Sequence, residues 1–200
     1  MSEKELMKQE PRILIAIPTL DYVNYKFTEC LTQLQSHSIK TGLDITIRFE
    51  PGTLVHLARE HLAQYAIDMK YTHVFWLDAD MVFERSALNM LLNENVGFIS
   101  GIYRRRRPPY DFTLYKKTDP WEKYIDIPGG VFPIAACGYG CVLMETRILQ
   151  ESMELFGTCF KPVEGIGEDL CFCKRVERLG EAMYGHGGVR CGHITQQITY

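Results

Sequence analysis

The sequence has no long apolar segment. No hydrophobic run approaches the ~20 residues that a membrane-spanning helix needs. The first ten residues, MSEKELMKQE, are polar and charged, whereas a secretory signal would have an apolar core. We therefore expect a cytoplasmic protein without a transmembrane segment, in which residues 1–10 are a polar leader and residues 11–200 form a single domain.

The chain also lacks an excess of basic residues. Its 22 Lys and Arg are outnumbered by 25 Asp and Glu, which gives a formal net charge of -3 at pH 7. Proteins that bind nucleic acids without sequence preference usually carry a positive net charge, so this balance argues against such a role. The exception is the local run Arg104–Arg107. That run either is solvated, as most surface charge is, or contacts an anionic group of a ligand.

The seven cysteines do not form the C-x-x-C pairs that structural zinc sites favour. An odd number of cysteines in a chain without an export signal is typical of reduced thiols that pack as small apolar side chains. We expect free cysteines. A zinc site formed by several of these cysteines and His193 is the less favoured alternative.

Apolar residues make up 46% of the 200 residues, and a chain of this length buries roughly 70% of its unfolded surface. The hydrophobic periodicity predicts alternating elements, with strands over 12–18, 44–50, 73–77 and 96–100 and helices over 22–38, 54–69 and 84–93. Thr53 is the predicted N-cap of the second helix. Prolines break the second half into short segments such as DFTLY and CVLME, followed by a helix between Gly167 and Gly180. The predicted fold class is α/β, with a mostly parallel central mixed sheet flanked by helices in a Rossmann-like arrangement.

Two carboxylates, Asp78 and Asp80, follow the apolar strand at 73–77 directly. Ligands of open α/β sheets bind at the carboxyl ends of the strands, and alternate residues there can share one face. Hard oxygen ligands suit Mg²⁺ or Mn²⁺, which would neutralise a diphosphate. The alternative is that these aspartates only end the strand and cap the next helix.

Several segments, in this order along the chain, resemble nucleotide-sugar-dependent glycosyltransferases of the GT-A fold, in particular family 2-like members that contain a D-x-D motif. These segments are ILIAIPTLD, LVHLARE, FWLDADMVF, VGFISGIYRRR, CGYGCVLMETRIL, GIGEDLCFCKRVERLG and GHI. The resemblance covers about 180 residues and implies one GT-A-like domain. In this chain Glu60 follows the Ala-Arg pair, where asparagine is frequent in the family.

The resemblance also implies roles for individual residues. A divalent metal, Mn²⁺ or Mg²⁺, would be held by Asp78, Asp80 and His193, with His186 as the competing histidine. The residues implied in donor binding are Pro18, Thr19, Arg59, Asp78, Tyr103 and Arg104. Asp169 would be the catalytic base, and Glu168 would contact or orient the acceptor. The alternative for these two acids is that they stabilise the start of a helix through its dipole.

The predicted function is a metal-dependent glycosyltransferase of the hexosyltransferase type. It would move a sugar from a nucleoside-diphosphate sugar, with a UDP-sugar as the first choice, to an acceptor hydroxyl with inversion. The acceptor is unidentified; the run Arg104–Arg107 would suit an anionic one, such as a nucleic acid or a lipid. Two alternatives stay open, a nucleotidyltransferase on the same fold and a non-catalytic module that binds a nucleotide or metal.

Overall fold

The computed structural model describes residues 10–194. Most of the predicted leader, residues 1–9, lies outside the described residues, as do residues 195–200. The helices are α1 (Tyr25–Lys40), α2 (Val55–Asp68), α3 (Ala87–Asn93), α4 (Thr146–Phe156) and α5 (Glu168–Arg178). The strands are β1 (Arg12–Pro18), β2 (Asp44–Glu50), β3 (His73–Leu77), β4 (Met81–Val82), β5 (Phe98–Ile102), β6 (Leu114–Thr118), β7 (Trp121–Lys123), β8 (Val131–Ile134), β9 (Ala136–Cys137), β10 (Cys141–Glu145), β11 (Met183–Arg190) and β12 (Gly192–His193).

The central sheet has seven strands in the order β2-β1-β3-β10-β5-β11-β8. Strand β1 pairs parallel with β2 and β3, and β5 pairs parallel with β11. Strand β10 runs antiparallel between β3 and β5, and β8 runs antiparallel at the edge beside β11. Five strands therefore point in one direction, which confirms the predicted mostly parallel mixed sheet.

Strand β1 shows why the sheet is buried on both faces. Its apolar residues alternate between two clusters of core side chains, with Ile13, Ile15 and Ile17 in one and Leu14 and Ala16 in the other. All five are fully buried. Helices α1 and α3 contribute to the first cluster, and α2, α4 and α5 contribute to the second. Because burying an aliphatic side chain contributes about 1.5–3 kcal/mol, this near-continuous apolar run fixes the strand in the centre of the fold.

The helix starts differ from the sequence prediction. Helix α1 begins at Tyr25, because the side chain of Asn24 caps it by accepting a hydrogen bond from the Lys26 amide at 2.9 Å. The prediction of Thr53 as the N-cap of α2 is wrong. Leu54 takes that position without a side-chain cap, and its carbonyl accepts the first helical hydrogen bonds, from the amides of residues 57 and 58. Helix α3 begins at residue 87, three residues later than predicted.

The second half adds a small three-stranded sheet in the order β7-β6-β9. The predicted strand CVLME is β10, but the DFTLY segment becomes a strand only from Leu114 onwards. Helix α5 starts right after Gly167, and Gly180 follows its end with φ +78°, a conformation that favours glycine. Within residues 10–194, no helix combines the length and apolarity needed to cross a membrane.

Candidate active site at the strand ends

A cleft of about 460 Å³ opens where β1 and β3 end. We name it the strand-end cleft. Its lining residues are Pro18, Thr19, Leu20, Tyr22, Thr53, Val55, Ala58, Asp78, Ala79, Asp80 and Arg106. The backbone of Thr19 is held by hydrogen bonds to Glu50 and Gly52, at 3.1 and 3.3 Å, while its buried Oγ1 has no hydrogen-bond partner within the described part of the chain. Four predicted donor or metal residues, Pro18, Thr19, Asp78 and Asp80, thus lie in one cleft.

Arg59 joins three elements beneath this cleft. Its guanidinium donates to Asp78 Oδ1 at the end of β3 and to Glu168 Oε1 at the start of α5, both at 2.7 Å. The side chain is only 3% exposed and lies 5.3 Å from the ring centroid of Tyr139. Burial lowers the pKa of Arg59, but the nearby carboxylates of Asp78 and Glu168 together raise it by more. The resulting pKa of Arg59 is therefore above its ordinary value. The structure therefore shows Arg59 positioning two acids, whereas the resemblance implied a contact with the donor.

Asp80 and His193 meet through a two-residue strand pairing. Strand β12 pairs antiparallel with β4, which places His193 opposite Met81, next to Asp80. The Ile194 amide also donates to the Asp80 carbonyl at 2.7 Å. The Nδ1 atom of His193 lies 2.5 Å from the carbonyl oxygen of Arg104. A carbonyl only accepts hydrogen bonds, so Nδ1 carries the proton and the lone pair of a neutral His193 is on Nε2.

The Asp80 carboxylate is paired with Arg106, whose Nη1 lies 2.6 Å from Oδ2. Burial raises the pKa of Asp80, and the nearby charge of Asp78 raises it further, while Arg106 and His193 oppose these effects. The site therefore concentrates negative charge that a cation would relieve. In this structure the guanidinium of Arg106 supplies the compensating positive charge.

A divalent metal at this site would need several converging oxygen or nitrogen donors. Among residues 10–194, no three His, Cys, Asp or Glu side chains converge closely enough to hold one in the present arrangement. The donor chemistry nevertheless fits, because Asp80 offers a carboxylate and His193 offers Nε2 with its other nitrogen on a backbone carbonyl, as in many metal sites. Asp78 already pairs with Arg59 through Oδ1. The Arg106 guanidinium pairs with the Asp80 carboxylate at the position where a metal ion would bind.

A second cavity, of about 320 Å³, adjoins the first. We name it the basic cavity. Its lining residues are Tyr103, Arg105, Arg106, Arg107, Thr113, Tyr115, Lys123, Gly138, Asp169, Leu170 and His193. Arg106 lines both cavities.

Asp169 is the one acid among the residues that line the basic cavity. It lies in the first turn of α5, where its Oδ1 accepts the Leu170 amide at 2.7 Å. Burial raises its pKa to about 6, with a further contribution from Glu168, against the opposing charge of Arg59. A carboxylate with this pKa is a stronger base than an exposed aspartate and is still ionised at neutral pH. Glu168, its neighbour, pairs with Arg59.

Tyr103 supports the loop around Gly138 and Gly140. Its buried hydroxyl accepts a hydrogen bond from the Gly140 amide at 2.9 Å, and its ring meets the His193 ring edge-on at 5.1 Å. A Cβ atom on Gly138 would lie only 2.3 Å from the Tyr103 hydroxyl. The glycine therefore allows the loop, the Tyr103 ring and His193 to pack together. The Tyr103 hydroxyl, implied in donor binding, is used here to hold this loop.

The arginine run divides into two parts. The guanidinium of Arg104, implied in donor binding, donates to the Tyr110 carbonyl at 2.9 Å and lies over the Phe112 ring at 3.9 Å. The next three arginines line the basic cavity. The competing metal candidate His186 lies on β11, where Nδ1 accepts the Gly188 amide and Nε2 faces Glu94 at 3.2 Å. Both of its ring nitrogens are therefore engaged away from Asp80.

Three residues at or below the site were not singled out from the sequence for these roles. Glu60 accepts the amides of Cys159 and Phe160 at 2.7–3.2 Å, which holds the turn after α4. Arg106 pairs with Asp80, and Lys123 reaches the basic cavity from β7. The sequence signals for them are an acid within helix α2 for Glu60, the basic run Arg104–Arg107 for Arg106, and a single basic residue of a short strand for Lys123.

Comparison with known proteins defines the fold only. No protein-family model and no curated protein sequence matches the chain. Among solved structures, A197 from STIV is similar over 92% of this chain and 86% of its own, at 20% identity and a TM-score of 0.65. GalNAc-T7, solved with UDP, GalNAc and Mn²⁺, is similar over 93% of this chain at 10% identity and a TM-score of 0.60, and this chain spans only 43% of its length. The chain therefore has a GT-A-like α/β fold, the fold of a known glycosyltransferase.

Proposed function

We propose that this protein is a glycosyltransferase that uses a nucleoside-diphosphate sugar, with a UDP-sugar as the first choice. The observation that carries the proposal is the pair of adjoining cavities, one with two carboxylates at a strand end and the other with a basic carboxylate, Asp169. Arg106 lies in the wall of both. The presence of UDP, GalNAc and Mn²⁺ in the structure of GalNAc-T7 supports the same choice of donor class and metal.

The nucleoside diphosphate would bind in the strand-end cleft. Pro18 and Thr19 would contact the nucleoside, and the buried Oγ1 of Thr19 supplies an unused polar atom there. Asp80 and His193 would hold Mn²⁺ or Mg²⁺, with Asp78 beside them, and such an ion would offset the charge of the diphosphate leaving group. Arg106 would then leave the Asp80 carboxylate and become available to oxyanions in either cavity.

The acceptor would bind in the basic cavity with its hydroxyl at Asp169. The Asp169 carboxylate takes the hydroxyl proton while the acceptor oxygen forms a bond to the anomeric carbon of the sugar. The bond from that carbon to the diphosphate breaks, and its electron pair leaves with the diphosphate. Attack from the side opposite the leaving group inverts the anomeric configuration. Glu168, fixed by Arg59, keeps the start of α5 and thus Asp169 in place.

Product analysis with labelled nucleotide sugars tests this proposal. We expect Mn²⁺-dependent release or transfer of the sugar by the wild-type protein, and loss of that activity with Asp80→Asn. Asp68→Asn, at an exposed carboxylate of α2 outside both cavities, is the matched control and should behave as wild type. Release of pyrophosphate would instead identify a nucleotidyltransferase, and nucleotide binding without turnover would identify a non-catalytic module.

A further inference from the structure

The basic cavity concentrates positive charge around Asp169. Four cationic side chains line it, those of Arg105, Arg106, Arg107 and Lys123. Such a wall raises the local concentration of anions and favours their binding. Arg106 and Arg107 also line a larger neighbouring cavity of about 740 Å³, whereas Arg105 and Lys123 line the basic cavity. The four cations cluster around the basic cavity and do not form the extended stripe that a long polyanion needs.

The acids of this region do not balance these cations. Arg105 and Lys123 share a single carboxylate, that of Asp111, with Arg105 at 3.7 Å and Lys123 in direct contact. Arg106 depends on Asp80, the carboxylate that a metal would take. Arg107 forms no ion pair with any residue from 10 to 194, although it lines the cavity. The wall thus has cationic groups to spare, and more of them once Asp80 is engaged by another cation.

The volume of the basic cavity limits the size of a ligand that can lie beside Asp169, which lines this cavity. A space of about 320 Å³ is at the lower end of small-molecule sites, which suits a single sugar or polyol ring with one substituent. Thr113 and Tyr115 line the same wall, and the Thr113 hydroxyl donates to the Tyr103 carbonyl at 3.3 Å. Guanidinium groups bind phosphate oxygens through paired, charge-assisted hydrogen bonds.

We propose that the acceptor is a phosphorylated sugar or polyol, whose hydroxyl lies at Asp169 and whose phosphate is bound by Arg107 with Arg105 and Lys123. This inference rests on the proposed function, because it takes the basic cavity as the acceptor site. It is independent of the donor. The phosphate belongs either to a free sugar or polyol phosphate or to the headgroup of a lipid, and the chemistry of recognition is the same for both.

Calorimetry with the full chain, without donor or metal, tests the inference. The probes are inositol monophosphate, unphosphorylated inositol, and phosphatidylcholine vesicles with and without phosphatidylinositol. We expect inositol monophosphate to bind and inositol to bind at least ~10-fold more weakly, since inositol lacks the phosphate that accepts charge-assisted hydrogen bonds from the guanidinium groups. Binding only to the phosphatidylinositol vesicles would identify the lipid headgroup as the source of the same phosphate.

The matched variants are Arg107→Gln in the cavity and Arg85→Gln outside it. Arg107→Gln should weaken binding of the phosphorylated probe at least ~10-fold, which is about 1.4 kcal/mol, with an unchanged urea unfolding midpoint, whereas Arg85→Gln should not. Equal affinity for inositol and its monophosphate, or equal effects of the two variants, would overturn the inference. A protein that binds the phosphate through Arg107 but never transfers sugar would contradict the proposed function alone. If instead the protein transfers sugar equally well to neutral acceptors, and Arg107→Gln behaves as wild type, this inference is contradicted and the proposed function is not.

Discussion

Replacing Asp169 by asparagine tests the catalytic base and the electrostatics of its surroundings together. The carboxylate has a pKa of about 6 because burial and Glu168 disfavour its charge. Asparagine keeps the size and the hydrogen bond from the Leu170 amide but cannot take a proton. Since a positioned base typically contributes 10²–10⁴-fold, we expect Asp169→Asn to lower the rate of transfer by ~10²–10⁴-fold. The affinity for the nucleotide should be unchanged, because Asp169 does not line the strand-end cleft.

The pH dependence follows from the same pKa. In the wild-type protein the base is active when ionised, so kcat/KM should rise as the pH increases through about 6 and level off above it. In Asp169→Asn this rise should disappear. Initial rates of sugar transfer across this range, with Asp68→Asn as control, measure both effects.

The Asp169→Asn substitution should raise the free energy of unfolding while it lowers activity. The pKa of Asp169 is raised in the folded state from 3.8 to about 6. Its protonated form therefore stabilises the fold at low pH, and that contribution is lost as the pH rises through about 6. Ionisation above that pH costs about 1–3 kcal/mol after allowance for partial exposure. Asp169→Asn should thus unfold at an equal or higher urea concentration than wild type at about pH 8, and the difference should fall towards pH 4.

Normal transfer by the Asp169→Asn variant, or a product that keeps the anomeric configuration of the donor, would refute the assignment of Asp169 as the catalytic base.

Three further predictions concern the residues that support the site. Arg59→Met should lower the free energy of unfolding by about 3–5 kcal/mol, measured in urea, because two carboxylates lose their buried partner; stability within 1 kcal/mol of wild type would contradict this. Glu60→Ala should cost about 2–3 kcal/mol in the same assay, since two backbone amides lose their acceptor, and a negligible change would show that the turn is held otherwise. Gly138→Ala should displace the Tyr103 ring and raise the KM for the acceptor, and Tyr103→Phe in the same chain should partly restore it, because the clash is with the hydroxyl; no rescue would refute that contact.

The parts of the fold that the sequence predicts are those with a local cause. Strand β1 is recognisable because its apolar residues are contiguous and end at Pro18, and β3 because an apolar run stops at Asp78. The direction of the sheet then follows from the alternation of strands and helices. The same logic placed Asp78 and Asp80 in a strand-end cleft.

The parts that it could not predict depend on contacts between distant segments. The resemblance implied that His193 lies with Asp80, but hydrophobic periodicity did not, because the two meet through the two-residue pairing of β12 with β4. Arg106 and Arg104 belong to one basic run, yet Arg106 pairs with Asp80 whereas Arg104 stacks on Phe112. The prediction of Thr53 as an N-cap failed for a local reason, because the Leu54 carbonyl accepts the first hydrogen bonds of α2 and the helix starts one residue later.

Calorimetric titration of UDP, with Mn²⁺ and with EDTA, tests the central claim most directly. We predict that the wild-type protein binds UDP in the presence of Mn²⁺, that EDTA abolishes this binding, and that Asp80→Asn weakens it at least ~10-fold, about 1.4 kcal/mol, with Asp68→Asn unchanged. His193→Ala should weaken it as well, because we propose its Nε2 as the second metal donor. UDP binding that is equally strong with EDTA and in Asp80→Asn would contradict the account, as would a wild-type protein that binds no nucleoside diphosphate at all.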